Sequence, residues 1–150
     1  MSRAADSRAS AALPAGFEAF DEAGTYIGLI GPLYRRREGG RVVLCLPIEQ
    51  RHTNPMGTAH GGLLMTLVDL TLGMNVGAAL GQDVPVPTVQ VSCSLIAAAK
   101  AGEIVFGDAE VDRVTRSFAF VSGALRAEGR VLVRASAIFR CPAGAAATRP

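Results

Sequence analysis

One acidic residue stands alone in a long apolar segment of this chain. Asp69 is the single charged residue between Gly61 and Leu80, a stretch of twenty residues. A buried carboxylate is costly unless it is paired or takes part in chemistry. Its leucine and valine neighbours favour desolvation, which would strengthen it as a base or nucleophile. The alternative is a structural carboxylate that caps a loop or pairs with an arginine.

Two glycines, Gly61 and Gly62, open the apolar segment. The segment predicts a helix, and the first N–H groups of a helix have no intrahelical partner and carry partial positive charge. Because glycine has no side chain, a substrate carbonyl could approach these groups closely. Such donors hold the oxyanion that forms when a carbonyl is attacked. The alternative is that the glycines only allow the helix to pack tightly on a sheet.

Polar residues just upstream of the glycines have either substrate or structural roles. Asn54 could donate its side-chain amide to a carbonyl, or it could shape the loop before Pro55 as an Asx turn. His60 could orient the helix start and contact the substrate, together with Gly62, or make only a structural hydrogen bond. His52 is expected in a loop. Two histidines without further ligands nearby predict no metal site.

The spacing between Gly61 and Asp69 restricts how they could cooperate. Eight residues correspond to about 12 Å along a helix, whereas a base must come within about 3 Å of its target or act through one water. Asp69 therefore cannot serve a carbonyl held by Gly61 of the same helix. Either the two residues do not cooperate, or Asp69 acts in a second chain of a twofold dimer with two identical sites.

Composition excludes several function classes. A chain of 150 residues favours one domain, and a mean hydropathy of +0.30 indicates that some apolar surface closes against another copy. A net charge of +2 and the absence of tryptophan give no basis for a nucleic-acid partner. Serine-hydrolase, phosphate-loop and dinucleotide motifs are missing. The apolar segment is long enough to cross a membrane, but its central charge, glycines and Asn75 argue against a membrane span.

The cysteines and the chain ends complete the organisation. Cys45, Cys93 and Cys141 have no C-x-x-C spacing, so buried free thiols in a cytoplasmic protein are predicted. Residues 1–15 and 142–150 are interpreted as tails around a single domain, 16–141.

Periodicity and turn residues predict one long helix between two groups of strands. Thr58 is a plausible N-cap for this helix, and Gly81 is a good residue to end it. Alternation in the strand after the helix places Val89, Val91, Cys93 and Leu95 on one face. The predicted elements are a short helix within 17–26, strands over 27–37 and 42–48, the long helix, and strands over 88–97, 103–112, 117–127 and 130–141. An α+β fold follows, in which an antiparallel sheet wraps around a helix buried on nearly all sides.

The residues around Asp69 carry a family resemblance. The stretch from Arg51 to Asp69, RHTNPMGTAHGGLLMTLVD, resembles PaaI-type acyl-CoA thioesterases of the hotdog-fold superfamily. The shared pattern is an Asn, a Gly, then His-Gly-Gly, and an Asp seven residues after the second Gly. The resemblance covers roughly residues 25–141. It implies a hotdog dimer, often paired into a tetramer, that hydrolyses acyl-CoA without a metal or organic cofactor.

The same resemblance implies a role for each matching residue. Asp69 would activate water or attack the thioester directly, across the dimer interface. Gly61 would be the backbone donor and Asn54 the side-chain donor to the thioester carbonyl. Thr88 falls where relatives have a hydroxyl that positions water, and Arg116 where they have a basic residue near the CoA phosphates.

Three other functions remain open at this point. One is a thioesterase that acts on acyl-carrier protein, and another is a hotdog dehydratase, which would need a histidine and a carboxylate that converge, although His60 is not obviously placed for this. A non-catalytic hotdog protein could bind acyl-CoA as a sensor, although such regulators usually carry a DNA-binding domain that fifteen N-terminal residues cannot supply. The acyl group itself, whether short, aromatic or long, is not predicted by the sequence.

Overall fold

The computed structural model of the chain describes residues 12–20, 22–81 and 84–144. The predicted tails, 1–15 and 142–150, lie largely outside these residues. The regular elements are β1 (Glu18–Phe20), α1 (Tyr26–Ile30), β2 (Leu33–Glu38), β3 (Arg41–Pro47), α2 (Gly61–Ala79), β4 (Thr88–Leu95), β5 (Ile104–Val114), β6 (Phe118–Ala127) and β7 (Arg130–Arg140).

The strands form one antiparallel sheet of seven, in the order β1-β2-β3-β5-β6-β7-β4. The long helix α2 packs across one face of this sheet, so the predicted hotdog architecture is confirmed. The chain passes from β3 through α2 to the far edge of the sheet, where β4 pairs with β7. Within the part of the chain that the structure describes, the other edge of β4 has no strand beside it.

Two tight turns set the register of the hairpins. Gly39 and Gly40 have φ angles of 52° and 80°, and Glu128 and Gly129 have φ angles of 48° and 76°. Two consecutive positive φ angles are typical of type I′ turns, whose twist matches that of paired strands. The turn predicted at Gly39-Gly40 therefore joins β2 to β3, with Glu38 opposite Arg41.

Glycines in the sheet allow α2 to approach it closely. A Cβ atom on Gly107 of β5 would lie 2.2 Å from Thr71 Oγ1, and one on Gly123 of β6 would lie 2.9 Å from Leu72 Cδ2. Both distances are too short for any side chain. The space under α2 is instead filled by a continuous apolar core whose fully buried members include Val68, Leu72, Val76, Val105, Val121, Leu125, Leu132 and Phe139.

The N-terminal prediction was wrong in its elements. The predicted helix within 17–26 is replaced by β1, which pairs with β2 through Phe20 and Leu33. The first part of the predicted strand 27–37 is helix α1, because Thr25 caps it by accepting from the Gly28 N–H. Local capping and long-range strand pairing thus outweighed the apolar pattern of this segment.

The start of α2 also differs from the prediction. Its N-cap is His60 and not Thr58, because Thr58 forms a bridge with Lys100 in the loop before β5. That bridge keeps the chain extended until Ala59, whose N–H donates to the Ala99 carbonyl. The helix ends next to Gly81, as predicted.

The prediction that α2 is buried on nearly all sides was wrong for a single chain. By length and composition α2 could cross a membrane, but half of its apolar window is buried against the sheet. Its other face and the free edge of β4 share an apolar surface, to which Met65 (50% exposed), Val89 (55%), Leu95 (47%) and Ile96 (56%) belong. Cys45 and Cys141 are buried as predicted, whereas Cys93 on β4 is half-buried.

Candidate active site

Asp69 and Thr88 are in direct contact. The Thr88 hydroxyl, at the first residue of β4, donates a 2.9 Å hydrogen bond to Asp69 Oδ1 in the middle of α2. Among the described residues Asp69 has no arginine, lysine or histidine partner, so an ion pair does not explain this half-buried carboxylate. Thr88 contacts Oδ1, and no hydrogen bond from the described residues reaches the second carboxylate oxygen.

A cavity of about 350 Å³ begins at this pair. Its floor is the face of α2 that carries Asp69, Leu70, Gly73, Met74 and Gly77. One wall is the segment before β4 together with Phe139 of β7, and the other comes from the segment between β1 and α1. The remaining lining residues are Phe20, Glu22, Thr25, Ile27, Arg35, Val84, Pro85 and Val86. The cavity is mostly apolar, with the carboxylate and the hydroxyl at one end.

The start of α2 offers one backbone donor that the protein does not use. The Gly62 N–H donates to His60 Nδ1 over 2.9 Å, and the Leu64 N–H donates to the His60 carbonyl. The Gly61 N–H has no hydrogen-bond acceptor among the described residues. His60 therefore acts as a cap that occupies Gly62 and leaves the Gly61 N–H available to a ligand.

Asn54 lies at the tip of a short hairpin that leads into α2. Its Oδ1 accepts from the Met56 N–H at 2.9 Å and from the Thr58 N–H at 3.3 Å, and its Nδ2 donates to Thr58 Oγ1 at 3.1 Å. The predicted Asx turn is therefore present. An amide nitrogen has two protons, so one N–H of Asn54 remains for another acceptor.

His52 anchors this hairpin to the N-terminal part of the chain. Its Nδ1 accepts from the Glu49 N–H, and its Nε2 donates to the Ile30 carbonyl, each over 2.9 Å. Burial, with the neighbouring Arg51 charge, lowers the pKa of His52 below its ordinary value. Arg51 donates to the Leu29 and Gly31 carbonyls as well. The loop that carries Asn54 is thus tied to α1.

The candidate residues form two separate groups in one chain. Asn54 and Gly61 lie at the start of α2, and Asp69 and Thr88 lie two turns further along, which is about 12 Å by helix geometry. Strand β4 runs beside α2 between the two groups. Thr88 at one end contacts Asp69, and Leu95 at the other lies so near Gly61 that a Cβ on this glycine would be 3.1 Å from Leu95 Cδ2.

Arg116 belongs to a second cleft next to the cavity. This cleft has a volume of about 630 Å³ and is lined by Pro85, Pro87, Arg116, Ser117, Arg140, Cys141, Pro142, Ala143 and Gly144. Neither arginine has an ion-pair partner among the described residues, and both are exposed. Pro85 lines both spaces, so a ligand in the cavity could extend into the cleft.

Sequence reasoning found Arg116 but missed Arg140 and the cavity walls. Arg140 lies at the end of β7. It is close to Arg116 because it pairs with Phe118, which follows Arg116 by two residues. Phe20, Glu22 and Arg35 come from the segment whose elements were predicted wrongly. The pairing register of β6 and β7 would have revealed Arg140, but no local sequence signal marks Phe20, Glu22 and Arg35 as lining residues. No cluster of three potential metal ligands occurs in the described ranges.

Comparisons with known proteins agree on one family. The family model described as "Thioesterase superfamily" matches residues 56–134. The "Putative esterase PA0474" of Pseudomonas aeruginosa is 32% identical over 131 residues, which are 87% of this chain and 98% of that protein. Human "Acyl-coenzyme A thioesterase 13" is 33% identical over 99 residues, which are 61% of this chain and 70% of that protein.

A solved structure extends the likeness to the fold. It is a "putative thioesterase, phenylacetic acid degradation-related protein" from Ralstonia eutropha JMP134. It superposes with a TM-score of 0.68 at 26% identity, over 76% of this chain and 87% of that one. The resemblance to PaaI-type hotdog thioesterases is thereby confirmed, at the level of fold and family.

Proposed function

Because the chain belongs to the thioesterase superfamily, whose activity is thioester hydrolysis, we propose that it is an acyl-CoA thioesterase with active sites at a dimer interface. One observation carries the proposal. The Gly61 N–H has no acceptor among the described residues, and Asp69, which Thr88 of β4 contacts, lies about 12 Å further along the same helix, too far for both to act on one carbonyl. The site is complete only if a second chain supplies one of the two groups.

The free edge of β4 supports a specific twofold arrangement. If β4 pairs antiparallel with its copy around an axis near the middle of the strand, its first residue opposes the last residues of the partner strand. Thr88, with Asp69, would then lie beside Leu95 of the partner subunit, which contacts that subunit's Gly61. The exposed Val89 and Met65 would be covered by the same contact. Two such dimers could pair further into a tetramer.

In this arrangement each group has a chemical task. The thioester carbonyl would accept hydrogen bonds from the Gly61 N–H and the Asn54 amide of one subunit. Asp69 of the other subunit would take a proton from water as it attacks, or attack the carbonyl itself. Thr88 would hold Asp69 Oδ1 and leave the other oxygen directed at the reacting centre. When water attacks, Asp69 passes the proton to the departing sulfur, so that CoA thiol and the free acid are the products. When Asp69 attacks, CoA departs as the thiolate, and water then hydrolyses the mixed anhydride, which releases the acid, restores Asp69 and supplies the proton of the thiol; neither route uses a metal or organic cofactor.

The second cleft supports coenzyme A as the carrier of the acyl group. Arg116 and Arg140, which have no ion-pair partner in the described part of the chain, would bind phosphate oxygens at the nucleotide end of CoA. A carrier protein presents its pantetheine without that nucleotide, so it would gain nothing from these charges. A cytoplasmic location is consistent with such a substrate and with free thiols.

Release of free thiol from a panel of acyl-CoAs tests the proposal. We expect turnover by the wild-type protein and a loss of about 10³-fold in the Asp69→Asn variant, as for other general bases. The variant changes one atom of a half-buried side chain, so its dimer should persist in size-exclusion chromatography. Wild-type turnover by Asp69→Asn would contradict the assignment. Tight binding of acyl-CoA by the wild type without thiol release would favour a non-catalytic binding protein.

A further inference from the structure

His52 is a buried polar residue to which the proposed reaction gives no task. It is 5% exposed, and both of its ring nitrogens are engaged. Nδ1 accepts from the Glu49 N–H and Nε2 donates to the Ile30 carbonyl, each over 2.9 Å. Because one nitrogen accepts while the other donates, the imidazole is neutral. The two partners belong to different segments of the chain, and each segment leads to a different part of the site.

The first segment is α1, which contributes to the wall of the cavity. Its residue Ile27 lines the cavity that begins at Asp69. No residue of α1 is fully buried, so hydrogen bonds matter for its position. The last carbonyls of a helix have no intrahelical partner, and here two side chains supply donors. The Ile30 carbonyl accepts from His52, and the carbonyls on either side of it accept from Arg51.

The second segment is the hairpin 52–60, which presents the two groups proposed to bind the thioester carbonyl. The His52 carbonyl accepts from the His60 N–H over 2.9 Å, so the hairpin closes directly before Gly61. Asn54 lies near its tip, beyond a bridge between the two arms. The bond from the Glu49 N–H to His52 Nδ1 fixes the residue at which this hairpin begins and ends.

Resting on the proposed thioesterase activity, we infer that His52 is a positioning residue with two separable tasks. Its bond from Glu49 sets the positions of the Asn54 amide and the Gly61 N–H, which hold the carbonyl as it is attacked. Its bond to the Ile30 carbonyl sets the position of the wall that contacts the acyl group. Neither task brings the imidazole itself into contact with the substrate.

The two tasks have different kinetic signatures. Oxyanion donors act most strongly in the transition state, so their displacement lowers kcat, and a misplacement of about 1 Å can cost about 10²-fold. The apolar wall contacts the substrate and the transition state alike, so its displacement raises KM and leaves kcat unchanged. This rise should be larger for a long acyl group than for a short one, which makes less apolar contact.

Two amide substitutions separate the tasks, because each keeps one of the two hydrogen bonds. In His52→Asn the amide oxygen replaces Nδ1 as the acceptor for the Glu49 N–H. In His52→Gln the amide nitrogen replaces Nε2 as the donor to the Ile30 carbonyl. Thiol release from octanoyl-CoA and from acetyl-CoA is measured at about pH 8, where the imidazole of the wild type is neutral.

We expect His52→Gln to lower kcat about tenfold for both substrates, with KM close to that of the wild type. His52→Asn should keep kcat and raise KM for octanoyl-CoA about fourfold, the equivalent of one methylene contact, with a smaller rise for acetyl-CoA. Gln50→Ala truncates an exposed residue of the same turn and should change neither constant. If both His52 variants change kcat and KM alike, or change only the folded fraction seen by circular dichroism, His52 only stabilises the fold and the inference is wrong.

Mixed dimers provide a second test, since the proposed dimer places the two tasks of one His52 in different active sites. A dimer of an Asp69→Asn chain and an Asn54→Ala chain has one intact site, which uses the hairpin of the first chain and the cavity of the second. His52→Gln should therefore lower kcat only when the first chain carries it. His52→Asn should raise KM only when the second chain carries it. An equal effect from either chain would contradict the separation of tasks.

The failure of this inference is distinguishable from the failure of the proposed function. Thiol release by the wild type without the expected split between the two His52 variants would overturn the inference alone. Absence of thiol release from every acyl-CoA would refute the thioesterase assignment. Calorimetric binding of octanoyl-CoA then decides the task at the wall: weaker binding by His52→Asn than by His52→Gln and the wild type supports it, and equal binding by all three rejects it.

Discussion

The Thr88 hydroxyl donates a 2.9 Å hydrogen bond to Asp69 Oδ1, and this bond joins the first residue of the edge strand β4 to the middle of α2. Within the described ranges, the lone charge of the apolar segment is thus held by a neutral donor and not by a cation. A carboxylate held in this way keeps its second oxygen clear of hydrogen bonds from the described residues, and a base or nucleophile needs such an oxygen.

Removal of the Thr88 hydroxyl should reduce turnover without abolishing it. We expect Thr88→Val to lower kcat for thiol release about tenfold, because Asp69 loses its orienting bond but remains present. Thr88→Ser keeps the hydroxyl and should stay close to the wild type, so it is the matched control. If Thr88→Val and Thr88→Ser have the same kcat, the bond has no part in the reaction.

Mixed dimers test whether the site is shared between subunits. Asp69→Asn and Asn54→Ala chains should each form weakly active homodimers, since every site of each dimer has one lesion. After the two chains are mixed and reassociated at random, half of the dimers are mixed, and each has one intact site. Activity should therefore recover to about 25% of the wild type. If the site lay within a single chain, every site would still carry a lesion, and no activity would return.

Sequence reasoning predicted α2 and the strands after it because their patterns are strong. Apolar residues from Leu63 to Leu80 end at a glycine, and the later strands alternate between tight turns. The distance between Asp69 and Gly61 could be predicted from helix geometry alone. These features depend on local sequence, which is why they could be predicted.

The remaining parts of the site depend on contacts between distant segments. The strand pairing of Phe20 with Leu33 replaced a helix that the local pattern favoured, and it brought Arg35 to the cavity wall. His60 displaced Thr58 as the N-cap because Thr58 is held by Lys100. Gly62 illustrates the same limit, since its N–H was a candidate substrate donor but is occupied by His60. The periodicity of apolar residues in a sequence cannot show which groups compete for the same hydrogen-bond partner.

The two arginines of the second cleft should act on the nucleotide end of the substrate. We expect Arg116→Ala and Arg140→Ala each to raise KM for acyl-CoA several-fold, with a smaller effect at high ionic strength. Neither variant should change KM for the corresponding acyl-pantetheine, which lacks the nucleotide. Arg113→Ala, a nearby arginine that does not line the cleft, is the control. An equal rise in KM for both substrates would place the effect elsewhere.

Buried His52 should make stability dependent on pH. Its pKa is lowered in the folded state, chiefly by burial, so the unfolded chain binds a proton more readily. Its contribution is therefore fully present above the unfolded value of about 6.5 and decreases as the pH falls from there toward the lower folded pKa. Urea unfolding between pH 5 and 8 should show this decrease in the wild type and a weaker one in His52→Gln. Identical pH profiles would rule out His52 as the source.

Asn75 should be a strong determinant of stability. It is 3% exposed, and β3 pairs with β5 only from Leu44 to Pro47. At Val42, beyond the end of that ladder, the Asn75 side chain replaces a strand: Oδ1 accepts from the Val42 N–H at 3.0 Å, and Nδ2 donates to the Val42 carbonyl at 2.8 Å.

Asn75→Leu, similar in volume, would leave both groups of Val42 buried without partners. We expect the free energy of unfolding to fall by about 2–4 kcal/mol, measured by urea denaturation at constant protein concentration because the proposed dimer would make stability depend on concentration. Met74→Leu, on the neighbouring and less buried position of α2, should change it by less than about 1 kcal/mol. A loss for Asn75→Leu no larger than that of the control would mean that water or a shift of β3 satisfies Val42 instead.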